Sequence, residues 1–242
     1  MEILKCKDYA DMSEKAAELI VNTINGLQKP VLGLATGSTP EGLYRNLIKA
    51  YKKNAVSFVN ATTFNLDEYV GLREDDPNSY KYYMREKLFD AVDISVEHTH
   101  VPNGDTGNPE EECVRYEKQI RDAGYADLQV LGLGLNGHIG FNEPGSSFDT
   151  KTHTVDLDLS TRKANARFFD SLEQVPEQAI TMGISTIMHG EKIVLLVSGI
   201  NKADAVKKLV HGEITEEFPA SVLQQHGNVI VIGDEAALSK LG

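Results

Sequence analysis

Val31-Leu32-Gly33-Leu34-Ala35 is an unbroken apolar run, and Thr36-Gly37-Ser38-Thr39-Pro40-Glu41-Gly42 follows it with no spacer. A run without polar alternation reads as a strand buried on both faces, the habit of parallel sheets. Ser38 and Glu41 have capping-box spacing and Pro40 suits a first helical turn, so a helix is expected over about 40–53. A glycine turn feeding a helix N-terminus is either an ordinary capped connection or a cradle of backbone N–H groups for a phosphate. No Gly-Lys-Ser/Thr follows, so it is not a nucleotide-hydrolysing loop.

The same alternation recurs along the chain. Thr62 to Leu66, Leu128 to Leu133, Ile193 to Val197 and Val229 to Ile232 read as further strands. Helical spacing appears over 11–27 (with Asp11-x-x-Glu14 as a start signal), 79–89, 109–123, 161–169 and 202–210. The fold class expected is α/β: a single Rossmann-like domain over 1–242, with a doubly wound, mostly parallel sheet flanked by helices. Ligands then bind at the carboxyl ends of the strands.

The 242 residues are 41% hydrophobic and 25% charged, the balance of a globular chain. No apolar run approaches the ~18 residues of a membrane span, and charges interrupt the first residues before a signal-peptide core forms. Cys6 and Cys113 are too few and too far apart for a disulfide framework, so a cytoplasmic home is expected. Lys plus Arg number 24 against 36 Asp plus Glu, a net charge of −12 that disfavours nucleic acid and anionic membranes as partners. A small anionic ligand is still compatible with that field.

Three segments carry chemistry. Asp67-Glu68 follows a strand, where α/β enzymes place reactive groups, and crowding of two carboxylates pushes their pKa values apart. Gly132, Gly134 and Gly137 spell G-x-G-x-x-G, but Gly140 and Pro144 interrupt the helix that a dinucleotide site needs. What remains is a glycine-rich loop presenting Asn136, His138 and Glu143, a base with a carboxylate to orient it. Without a second His or a Cys nearby, metal binding is the weaker alternative. Finally, 161–169 is a basic helix in an acidic chain, and Lys202 stands just past a strand end. Arg162 and Lys163 read as solvated helix surface; Tyr80, Tyr82, Tyr83 and Met84 read as helix packing.

Together Ala35-Thr36-Gly37-Ser38-Thr39-Pro40, Phe64-Asn65-Leu66-Asp67-Glu68-Tyr69, Gly137-His138-Ile139-Gly140-Phe141-Asn142-Glu143-Pro144 and Asn165-Ala166-Arg167-Phe168-Phe169 strongly resemble the glucosamine-6-phosphate deaminase family. The resemblance runs in order over essentially the whole chain. It implies conversion of α-D-glucosamine 6-phosphate and water into fructose 6-phosphate and ammonia, within amino-sugar catabolism and without metal or organic cofactor. It implies Asp67 as the base moving a proton between C2 and C1, His138 as the ring-opening group and Glu143 as its holder. Asn136 stands where many members carry Asp and so orients without charge. Substrate contacts fall on Thr36, Gly37, Ser38, Thr39 and Glu68, with Arg167 and Lys202 clamping phosphate, and a mobile lid is implied over about 156–176. A lactone hydrolase of the 6-phosphogluconolactonase kind and a non-catalytic sugar-phosphate sensor are the rival readings.

Some family members are hexamers activated by N-acetylglucosamine 6-phosphate through basic residues past the Asn-Glu-Pro block. Here Ser146 fits that site, but His153 and Val155 stand where the allosteric forms carry Arg and Lys. The sequence also stops at Gly242, short of the tail of the hexameric forms. The resemblance therefore implies a short, non-allosteric bacterial type, a monomer or small homo-oligomer.

Overall fold

The computed structural model describes residues 1–157, 159–166, 169 and 171–242. Its strands are β1 Glu2–Cys6, β2 Val31–Leu34, β3 Thr62–Asn65, β4 Asp67–Tyr69, β5 Thr99–His100, β6 Leu128–Gly132, β7 His153–Asp156, β8 Gln178–Thr181, β9 Ile193–Val197 and β10 Val229–Asp234. The helices are α1 Tyr9–Gly26, α2 Glu41–Lys52, α3 Tyr80–Lys87, α4 Pro109–Asp122, α5 Leu159–Asn165, α6 Ile184–Met188 and α7 Ala203–His211.

Seven strands form one parallel sheet in the order β1-β10-β9-β6-β2-β3-β5. Every residue of β2 and β9 is buried, which is why both read as continuous apolar runs. From β2 the order runs outward to β3 and β5; from β6 it runs the other way to β9 and β10. The direction reverses between β2 and β6, and a doubly wound sheet opens its ligand crevice at such a switch point. The glycine turn after β2 and the glycine-rich loop after β6 flank it.

A second sheet, β4-β8-β7, is antiparallel and was not anticipated. The chain leaves the parallel sheet at Leu66, whose N–H still bonds Leu34 O and whose carbonyl accepts from Met182 N at 2.6 Å. Asp67 then pairs with Thr181, and Thr181 with His153. Asp67 therefore sits at the seam of the two sheets. Tyr69, Phe141, Leu157 and Ala179 form an apolar cluster on the small sheet, separate from the main core.

Two cap expectations fail. Asp8, not Asp11, caps α1, its carboxylate accepting from Asp11 N at 2.9 Å. α2 starts at Glu41 behind Pro40 with no side-chain cap bond, so Ser38 lies outside the helix and the capping box does not form. β1 was also missed, because an edge strand with Glu2 and Lys5 on it lacks a continuous apolar run. The helix expected over 161–169 is described as α5, ending at Asn165; Arg167 lies outside the described residues.

Candidate active site

The turn after β2 is braced by two tyrosines. Tyr83 Oη donates to Gly37 O at 2.7 Å, and Tyr9 Oη reaches the carbonyls of Ser38 and Thr39 at 3.1 and 3.0 Å while accepting from Gly42 N. The carbonyls are thus held away from the turn. Among the described residues, the N–H groups of Gly37, Ser38 and Thr39 meet no acceptor, as an anion cradle requires. Thr36, Gly37 and Thr39 are half-buried and Ser38 is exposed. Tyr83, read from sequence as packing only, supports this cradle.

Adjacent carboxylates in β4 have opposite surroundings. Asp67 is 6% exposed, and among the described residues no hydrogen bond holds its side chain. Burial, reinforced by the neighbouring Glu68, pushes its pKa up to about 8. Glu68 turns to α3, accepting from the N–H groups of Tyr69, Tyr80 and Lys81 at 2.9, 2.9 and 3.0 Å. Burial lifts Glu68 to about 7, against the lowering effect of those three N–H groups. The Glu68 carboxylate thus braces the start of α3 against β4.

The loop after β6 contains no helix, as Gly140 and Pro144 foretold. The His138 ring lies across Gly134, where an added Cβ would come within 2.4 Å of Cγ, so only glycine admits it. Asn136 Nδ2 donates to Glu143 Oε2 at 2.6 Å, and Asn136 Oδ1 accepts from His138 N at 3.2 Å. His138 Nδ1 stands 3.5 Å from Glu143 Oε1, beyond a good hydrogen bond, and has no other partner among the described residues. Thr161 of α5, which sequence reasoning missed, donates to that same Oε1 at 2.6 Å. Burial would raise Glu143, but the hydrogen bonds from Thr161 and Asn136 and the nearby His138 imidazole prevail and lower it to about 2.

The loop is tied to Asp67. Phe141 N donates to Thr181 Oγ1 at 3.1 Å, in the residue paired with Asp67. Gly140, at φ 58°, passes so close that an added Cβ would lie 3.0 Å from Thr181 Oγ1 and 3.6 Å from Asp67 Oδ2. Buried Asn142 fixes the far side, Nδ2 donating to the carbonyls of Ile139 and Met182. The spacing of β4 from the loop is therefore set by hydrogen bonds, which no motif in the sequence revealed.

Lys202 closes the ring of loops from β9. Its ammonium donates to Leu133 O at 2.6 Å, and burial lowers its pKa. Asp234 at the end of β10 accepts from Ser198 Oγ and Gly199 N, fixing the turn that carries Lys202. Arg162, expected on solvated surface, is instead largely buried and donates to the carbonyls of Leu172 and Val175. A cavity of about 520 Å³ lies on the Glu68 side of β4, against His100, Lys81 and Arg115. It holds none of Asp67, His138, Glu143 or Lys202, and its Arg73, Lys81 and Arg115 are paired with Asp75, Glu74 and Glu112, so the chemistry does not centre there. Among the described residues, no group of three or more His, Cys, Asp or Glu side chains is arranged to hold a metal ion, and no helix is long and apolar enough to cross a membrane.

A doubly wound sheet with an N–H cradle, a buried carboxylate and a His–Glu pair at its switch point defines an α/β protein built for a small anionic ligand. The chain belongs to the family of glucosamine-6-phosphate isomerases and 6-phosphogluconolactonases, whose pattern matches residues 7–231. It is 58% identical over 241 residues to a glucosamine-6-phosphate deaminase of Oceanobacillus iheyensis, covering 100% of this chain and 96% of the relative. Among solved structures it resembles a monomeric glucosamine-6-phosphate deaminase, with TM-score 0.97, 49% identity, and coverage of 99% and 100% of the two chains. A 6-phosphogluconolactonase from Trypanosoma cruzi shares the fold at TM-score 0.76 and 22% identity, covering 99% and 96%.

Proposed function

We propose that this chain is an enzyme converting α-D-glucosamine 6-phosphate and water into fructose 6-phosphate and ammonia. The observation that carries this reading is the carboxylate of Asp67 held beside Gly140, on the same loop as the His138–Glu143 pair. An aldose-to-ketose shift needs one base beside C2 and a separate proton shuttle for ring opening. Asp67 is the base and His138 the shuttle, with Glu143 and Asn136 orienting its ring. The substrate's ammonium at C2 lies beside Asp67 and favours the charged carboxylate that burial opposes. Thr36, Gly37, Ser38 and Thr39, with Lys202 and Arg167, hold the phosphate, whose binding energy orients the sugar.

The segment 156–176 is read as a lid that excludes water on closing. The protein is read as a cytoplasmic monomer or small homo-oligomer, a state supported by the 49%-identical monomeric neighbour. The deciding experiment assays ammonia and fructose 6-phosphate from glucosamine 6-phosphate, with 6-phosphogluconolactone as the rival substrate. Equal amounts of both products are expected. Hydrolysis of the lactone alone would establish the hydrolase, and binding without turnover would establish a sensor.

A further inference from the structure

One hydroxyl connects α5 to the reaction centre. Glu143 Oε2 is occupied by Asn136, so Oε1 is the oxygen left to orient His138. Thr161 Oγ1 donates to Oε1 at 2.6 Å, while His138 Nδ1 approaches it only to 3.5 Å. That Nδ1 is buried and, among the described residues, unpartnered. Thr161 is itself 8% exposed, so solvent does not readily substitute for it. In this arrangement the threonine of α5, rather than the histidine, holds the oxygen.

We propose that Thr161 is a positioning residue that shares Oε1 of Glu143 with His138, so that the seat of α5 decides whether His138 Nδ1 is hydrogen-bonded. With Thr161 on Oε1, no hydrogen bond among the described residues fixes the imidazole tautomer. When the hydroxyl withdraws, Oε1 accepts from Nδ1–H, and Nε2 becomes the unprotonated nitrogen of the neutral ring. The other charged groups nearby do not compete for Nδ1. Lys202, from the turn after β9, is engaged on Leu133 O, and Asp67 of β4 lies against Gly140. The consequence for catalysis rests on the reading of His138 as proton shuttle; the hydrogen-bond exchange itself does not.

The test uses unliganded protein with ¹⁵N-labelled histidine, His138→Gln serving to assign the signals. Wild type is expected to show no exchange-protected, low-field Nδ1 proton for His138. Thr161→Val, nearly isosteric but without the donor, should show one, and Thr161→Ser should match wild type. A protected Nδ1 proton in wild type, or its absence in Thr161→Val, overturns the proposal. An ammonia assay on the same samples keeps the two readings apart. An inactive wild type would refute the proposed reaction while the spectra still decide the role of Thr161. In active samples Thr161→Val should alter kcat and leave KM within about twofold; a change in KM alone marks a helix-docking role and overturns the proposal.

Discussion

In the seven-strand sheet, the turn after β2 offers backbone: N–H groups of Gly37 to Thr39, braced by Tyr9 and Tyr83 through their carbonyls. The three-strand sheet offers side chains instead, with Asp67 in β4 and Thr181 in β8 fastening the histidine loop to it. The first region suits a fixed dianion, because backbone donors on a buried sheet need no reorganisation to bind it. The second suits proton transfer, because burial there raises the carboxylate's pKa and makes it a stronger base. The glycine turn and the buried Asp67 thus belong to different sheets, joined at Leu66.

The sharpest way to break this division is Asp67→Asn. Turnover should fall by roughly 10²–10⁴-fold with substrate still bound, because only the base is lost. Solvent-proton exchange at C2, followed in deuterium oxide, would contradict the assignment if the variant retained it. Stability should move the opposite way. The folded-state pKa of Asp67 lies above its ordinary value of 3.8, at about 8. Its favourable contribution is therefore fully present below about 3.8 and is lost as pH rises through about 8. Asn stays neutral throughout, so its advantage in thermal unfolding over wild type should be greater at pH 8.5 than at pH 5.

Lys202→Ala, on the parallel-sheet side, and Arg167→Ala should each act mainly on KM, losing about 1.5–3 kcal/mol of charged hydrogen bonding. Initial rates against substrate concentration decide this, and an unchanged KM in both variants would move the whole phosphate load to the turn after β2. Glu68→Ala tests the neighbour of Asp67 in the same strand. Two N–H groups at the start of α3 and that of Tyr69 in β4 lose their acceptor, which should cost about 1–3 kcal/mol in denaturant unfolding. Turnover per folded molecule should suffer far less than in Asp67→Asn. Smaller still is Tyr83→Phe, which removes one hydrogen bond to Gly37 O and should raise KM about two- to tenfold, from about 0.5–1.5 kcal/mol.

The same division explains what could be read in advance. Strands β2 and β9 announce themselves because a strand with helices on both faces must be apolar throughout. β4, β7 and β8 are three or four residues long, and all three carry polar residues on a small sheet, so no periodicity marks them. Asn136, His138 and Glu143 meet because they share one short loop, a closeness any reader of the sequence can see. Thr161 meets Glu143 across 18 positions, and Tyr83 meets Gly37 across 46. A threonine or tyrosine inside a helix gives no sign of the distant carboxylate or carbonyl it will find.

The smallest effect expected is none at all. N-acetylglucosamine 6-phosphate should not activate, and velocity curves should be hyperbolic with or without it. An activator must bind one state of the protein better than another, and a phosphate activator needs cations to do so. In β7, Val155 packs against the apolar cluster of Tyr69, Phe141 and Leu157, where a lysine ammonium would be costly to bury. His153 has its Nδ1 on Lys151 O at 2.8 Å, so that nitrogen is already engaged. Lys151 is exposed and supplies one screened point charge, too little to clamp a dianion on its own. Replacing Val155 with Lys should therefore destabilise the small sheet before it creates an effector site. Sigmoidal kinetics that turn hyperbolic on adding N-acetylglucosamine 6-phosphate, or a hexamer by light scattering, would refute this and relocate regulation to the edge of the three-strand sheet.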